Sequence, residues 1–276
     1  MAGNYTVIKR FSDNYYSVTQ MKYPVRDCIP CTGKDLFQEK QTHEEKAREN
    51  LVRSRTNIFE LAMCNEWEYF ATFTIDKTKY DRYNLANYYK DFAKFINNMN
   101  TLKKCNIKYL LIPEMHQDGA WHLHGLFMGI PDRQLVPFRL EDKIPKYIRK
   151  QIKRGFKVYK WINYQIQFGF CDLEKIRNME ACCKYITKYI TKDLSKSVKE
   201  INAPVYYCSK GLKRAEIIHQ GECPLDIALA DFENAYIWRK DFFDLASALD
   251  MDKVKFFDSF INSGLDDDII NRILNA

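Results

Sequence analysis

Between Ile107 and Met128 the chain reads IKYLLIPEM, then HQDG, then AWHLHGLFM: two apolar, strand-forming runs separated by four turn residues. Asp118-Gly119 supplies the turn chemistry of a hairpin, so the two runs are expected to pair antiparallel. Strand side chains alternate between faces, which sends His122 and His124 to one face and Leu123 to the other. Glu114, on the partner run, comes within reach of the same point. Two imidazoles and a carboxylate converging there make a divalent-cation site with open positions. His116 could replace Glu114 as third ligand, but its place at the end of the hairpin favours Glu114. A half-exposed strand with two solvent-facing histidines is the plainer alternative.

The elements around this hairpin follow from periodicity. His43 to Cys64 reads as a helix with Leu51, Ile58, Leu61 and Ala62 on one face; Arg48, Arg53 and Arg55 point elsewhere, to solvent or to phosphates. Trp67 to Ile75 alternates as a strand, with Phe73 and Ile75 on one face and Thr72 and Thr74 on the other. Asn84 to Met99 is an amphipathic helix capped near Asn84. Pro131 to Lys160 is polar and basic and reads as an insertion, Tyr164 to Phe170 as a fourth strand, and Val205–Cys208 and Ala215–His219 as further strands. The order describes an α+β fold, a central antiparallel sheet with helices packed on it, of ferredoxin-like type. It divides into an N-terminal arm over 1–50 with one short hairpin, a main domain over 51–220, and a short helical C-terminal tail over 221–276.

Residues 180–193, EACCKYITKYITKD, repeat Lys-Tyr-Ile-Thr in immediate succession. A spacing of four returns a helical side chain to nearly the same face. One stripe is then apolar (Cys182, Ile186, Ile190, Leu194), one holds Tyr185 and Tyr189, and one holds Lys184, Lys188 and Lys192. An ordinary amphipathic helix, with boundary tyrosines and snorkelling lysines, would look the same.

The formal charge of +7 is uneven: residues 61–200 carry 25 basic and 15 acidic side chains, and residues 201–276 carry 8 and 13. The positive excess thus coincides with the histidines and tyrosines, as a phosphodiester-binding surface requires. No apolar run of membrane-spanning length and no signal-type stretch occurs, so a cytoplasmic protein without membrane contact is expected. The nine irregularly spaced cysteines read as reduced thiols. Cys28 and Cys31 form a lone CxxC with only His43 nearby, a weak zinc signal, and Cys182-Cys183 falls on the packed side of the tyrosine helix.

Together these parts suggest phosphoryl transfer. A cation with open positions polarises a phosphodiester, a phenol attacks the phosphorus, and lysines favour the phenolate and balance charge.

The set resembles the HUH endonuclease superfamily over about residues 53–195. YFATFTID (69–76) is similar to its first motif, PEMHQDGAWHLHGLF (113–127) to its metal motif and YITKYITK (185–192) to its tyrosine motif. The tandem tyrosines resemble the two-tyrosine initiators of rolling-circle replication in bacterial phages and plasmids. The resemblance implies an HUH nuclease fold, Mg²⁺ or Mn²⁺ as cofactor, and single-stranded DNA at a replication origin as partner. Tyr189 or Tyr185 would nick that strand and keep its 5′ phosphate, with Tyr189 the slightly favoured first nucleophile and Lys188 and Lys192 as motif lysines. His122, His124 and Glu114 would hold the metal; Thr72, Thr74, Arg53 and Arg55 would contact DNA. No Walker-type phosphate loop is present, so unwinding is expected from a host helicase, from supercoiling or from origin structure, with a host polymerase extending the freed 3′ hydroxyl. A relaxase or transposase of the same superfamily, or a non-catalytic nucleic-acid-binding module, are the alternatives.

Overall fold

The computed structural model describes residues 5–12, 15–21, 43–179, 181–183, 185–186, 204–222 and 242–243. Contacts divide the chain into two units, one of Met1–Lys46 with Lys213–Ala276 and one of Ala47–Leu212.

The smaller unit holds a four-stranded antiparallel sheet. Its hairpin, β1 (Tyr5–Ser12) and β2 (Tyr15–Met21), lies in the expected N-terminal arm. The late strand β10 (Glu216–Glu222) pairs with β1 across the whole intervening chain. The expected helical tail lies outside the described residues except at β11 (Phe242–Phe243), which pairs as a strand with β2.

The larger unit begins within α1 (His43–Met63), whose Ile58, Leu61 and Ala62 are buried as the sequence pattern required. Its C-terminus is closed by side chains: Asn65 Nδ2 donates to Leu61 O, and Trp67 Nε1 donates to Ala62 O. These bonds satisfy carbonyls that a helix end leaves without partners. A seven-stranded sheet follows, built on β3 (Tyr69–Thr74), β4 (Lys108–Met115) and β5 (Trp121–Met128). Between β3 and β4 runs α2 (Leu85–Leu102), with Asn84 Oδ1 accepting from the Asn87 amide as N-cap. Because β5 lies between β3 and β4 and pairs antiparallel with both, β3-α2-β4 is a split βαβ unit.

One face of that sheet is the main core. Tyr88, Phe92, Phe95, Ile96 and Met99 form the buried stripe of α2, packed in one cluster with Ala71, Phe73, Leu111, Leu123 and Phe127 of the strands. Gly125 makes this close packing possible: a Cβ there would stand 2.9 Å from Leu111 Cδ1 and 3.0 Å from the Leu110 carbonyl oxygen. The hairpin turn closes as expected, with Gly119 at φ +81° and His116 N donating to Ala120 O at 2.9 Å.

Two expectations are corrected. Residues 164–170 are not a strand. Residues Ile162–Gln167 form a short helix, α4, and the fourth strand of the split unit is β8 (Cys171–Lys175), beside β3. Tyr164 and Phe168, four apart, are both fully buried while Ile166 between them is 71% exposed, a helical rather than an alternating pattern. The Tyr164 hydroxyl meets that of Tyr88 at 2.7 Å, a tertiary contact that anchors the turn. The stretch read as an insertion is also part of the sheet. It contributes β6 (Leu135–Pro137), α3 (Lys146–Lys153) and β7 (Val158–Trp161), giving the order β6-β7-β8-β3-β5-β4-β9 with β9 at Tyr207–Cys208.

Candidate active site

Register decides what meets on the sheet face opposite α2. Directly paired residues point to the same side, so Glu114, His122 and Thr74 form one row across β4, β5 and β3. The next row is Ile112, His124, Thr72 and, on β8, Asp172. A third contains Leu126, Phe70 and Glu174. Polar side chains on the inner strands of a large sheet are costly unless they find partners. Here they find one another.

Glu114 Oε2 and His124 Nε2 are hydrogen-bonded at 2.7 Å, a diagonal contact between neighbouring rows. That bond, reinforced by the charges of His124, His116 and His122, holds the Glu114 carboxyl below its usual range although burial opposes it. His122 stands beside them. Its ring stacks on His116 with centroids 3.8 Å apart, and its Nδ1 lies 3.4 Å from Thr74 Oγ1. Burial, with the neighbouring His116 and His124, pushes its imidazole down to about 4. At neutral pH the pocket therefore offers an ionised carboxylate and a neutral imidazole with its lone pair free of a proton, the protonation states that metal ligation requires.

The Glu114–His124 separation also fits one ion, since adjacent ligands of an octahedral Mg²⁺ stand about 3 Å apart. Among the described residues no three His, Cys, Asp or Glu side chains are gathered closely enough to enclose a metal. The pair is formed; His122 faces the same pocket as its neighbour. His116, left as an alternative ligand by the sequence, lies against His122 rather than bonded to Glu114.

The tyrosine helix reaches this face. Met179, Ala181, Cys182, Cys183, Tyr185 and Ile186 are helical, with Cys183 and Ile186 fully buried and burial pushing the Cys182 thiol up to about 12. Tyr185 is 48% exposed, and its ring meets that of Phe70 edge-on at 5.3 Å. Phe70 in turn stacks on His124 at 6.0 Å. One phenylalanine thus spaces a candidate nucleophile from a candidate ligand. Tyr189, Lys188 and Lys192 lie outside the described residues.

Of the expected DNA contacts, Thr72 and Thr74 are on the site face, half-buried within the two histidine rows. Arg53 is exposed on α1, whereas Arg55 is half-buried and burial lowers its guanidinium from the ordinary value. Asp172 is not among the residues the sequence singles out. It is 4% exposed, accepts from the Tyr147 hydroxyl of α3 at 2.6 Å, and is pushed up to about 6 by burial, with the charge of Glu174 adding and Tyr147 opposing. Phe70 stands out in the sequence only as part of a strand. The signal that could have found both is their register beside Thr72 and His124, which needs the β3–β8 and β3–β5 pairings.

Residues 68–194 match the family model of the replication-associated protein ORF2/gene 2 protein. That span holds every residue of the site face, from Phe70 to Tyr185, together with Tyr189. The match covers a little under half of the chain and marks a similarity to replication-associated proteins. No curated protein and no solved structure matches the chain significantly. No helix among the described residues is long and apolar enough to cross a membrane.

Proposed function

We propose that the chain is a two-tyrosine replication initiator of the HUH type, nicking and rejoining single-stranded origin DNA through a 5′-phosphotyrosine. The observation that carries this reading is the line Tyr185–Phe70–His124, which sets a phenol on the face that holds the Glu114–His124 pair. Glu114, His124 and His122 would hold Mg²⁺ or Mn²⁺, which when bound withdraws charge from the phosphoryl oxygens.

The chain's own residues do the rest. The phenolic oxygen of Tyr185 or Tyr189 forms a bond to phosphorus as the bond to the 3′ oxygen breaks; the phenolic proton ends on the freed 3′ hydroxyl. In the reverse step a 3′ hydroxyl displaces the tyrosine, which recovers its proton. With two tyrosines four residues apart in the sequence, the second would cut while the first still holds DNA, and exchange of ends would release a circle. Lys188 and Lys192 balance the charge of the transferring phosphoryl group. Thr72, Thr74, Arg53 and Arg55 steady the strand. A host helicase and polymerase would complete initiation, in the cytoplasm of the bacterial host.

The test incubates protein and Mn²⁺ with 5′- and 3′-labelled single-stranded oligonucleotides from the protein's own locus. Wild type, Tyr185→Phe, Tyr189→Phe and the double variant are compared on a denaturing gel. A covalent adduct on the 3′-side fragment, lost with EDTA and in the double variant, is expected. DNA binding without any adduct would replace this reading with a non-catalytic binding module.

A further inference from the structure

Residues 139–160 carry nine lysines and arginines against two acids, Glu141 and Asp142. Asp142 is already engaged near its own loop: it accepts from the Arg139 amide and pairs with Lys160, while Arg149 donates to the Leu140 and Asp142 carbonyls. Lys143, Lys146, Lys150, Lys153, Arg154 and Lys157 are all exposed and, among the described residues, have no ion-pair partner. A cluster of this kind repels itself and costs stability unless an anion relieves it.

The cluster is held rigidly. Ile148 is fully buried with Phe138 and Val158, so α3 packs by one face and presents the other. Tyr147 ties the same helix to Asp172, which shares a row with Thr72 and His124. The cationic face is therefore built onto the sheet that carries the site, two strands from the histidines.

We propose that α3 and its flanking turns seat a duplex DNA segment beside the nicked strand, by contacts to its phosphates. Lys146 to Lys153 spans about 10 Å of helix axis, about three nucleotide steps of one strand of B-form DNA. The face offers little of what binds a single strand. Such sites stack bases on several open aromatic rings, but here Arg177 covers the Phe156 ring at 3.5 Å, and the one open ring on α3, Tyr147 at 49% exposure, is fixed by its hydroxyl to Asp172. Six exposed cations against one open ring read backbone rather than bases. The placement rests on the reading of the histidine rows as a nicking site; the binding itself does not.

The test measures affinity of the full chain for a duplex of about 20 base pairs and arbitrary sequence, between roughly 0.05 and 0.2 M salt. Wild type is compared with the triple variant Lys146→Gln, Lys150→Gln, Lys153→Gln and with a control of equal charge change on α2 and its C-cap, Lys90→Gln, Lys94→Gln, Lys103→Gln. The α3 variant is expected to bind roughly ten-fold or more weakly at 0.1 M salt, with the log–log salt slope reduced by about 2 to 3, while the control keeps the wild-type slope. Equal losses in both variants, or an unchanged slope in the α3 variant, would overturn the proposal. Adduct formation on a short single-stranded oligonucleotide is followed alongside and should survive in the α3 variant. Its absence in wild type sinks the nicking reading alone, because the duplex slope still decides α3.

Discussion

Glu114 bonds to His124, not to His122, the residue directly across the hairpin from it. The diagonal contact leaves His122 turned towards Thr74 and His116. A bound ion would therefore be held first by the Glu114–His124 pair. Mn²⁺ is expected to raise the Tm of wild type and to leave Glu114→Ala and His124→Ala unmoved, with His122→Ala intermediate. An equal Mn²⁺ response in all four proteins, read by thermal melts with and without EDTA, would place the ion elsewhere.

Phe70 separates Tyr185 from His124 by two ring contacts. Its truncation should free Tyr185 to wander without touching DNA affinity. In a Tyr189→Phe background, Phe70→Ala is expected to slow single-turnover adduct formation by roughly ten-fold or more, and Phe70→Leu by less. A changed Kd for the oligonucleotide with an unchanged rate would instead assign Phe70 to binding.

Asp172 is an acid whose folded-state pKa is raised, to about 6 from an ordinary 3.8. Between those values the folded chain holds a proton that the unfolded chain has lost, so stability falls as pH rises through that window. The full effect is up to about 3 kcal/mol at neutral pH. Asn at this position still accepts from Tyr147 but carries no charge beside Glu174. Asp172→Asn should melt above wild type at pH 7.5, and the gap should shrink towards pH 4. A gap independent of pH would show that burial of the charge is not what the substitution relieves.

Gly125 follows the second histidine where a side chain would strike Leu111 and the Leu110 carbonyl. Gly125→Ala is expected to cost roughly 1–3 kcal/mol, seen as a lower urea midpoint at unchanged m-value. An unchanged midpoint would mean that β4 and β5 yield at little cost.

Much of the site is legible without any coordinates. The hairpin at Asp118-Gly119, the common face of His122 and His124, the reach of Glu114 and the Asn84 cap all depend on neighbours a few residues away, and the structure repeats them. Residues 164–170 mislead because their apolar residues suit either period, and burial at Tyr164 and Phe168 against Tyr88 chose the helix. The basic stretch before them carries no core-like pattern, yet two short runs within it find open sheet edges.

The sequence by itself determined the alternation, turn and cap that make the split unit and put two imidazoles on one side of it. These are properties of backbone geometry over short spans. Only the tertiary structure decided that Glu114 pairs with His124, that Phe70 stands between His124 and Tyr185, and that Asp172 is buried under Tyr147 of a cationic helix. Each of these depends on strand order and register, which bring together residues far apart in the chain, and no local preference encodes which edge will be free to pair.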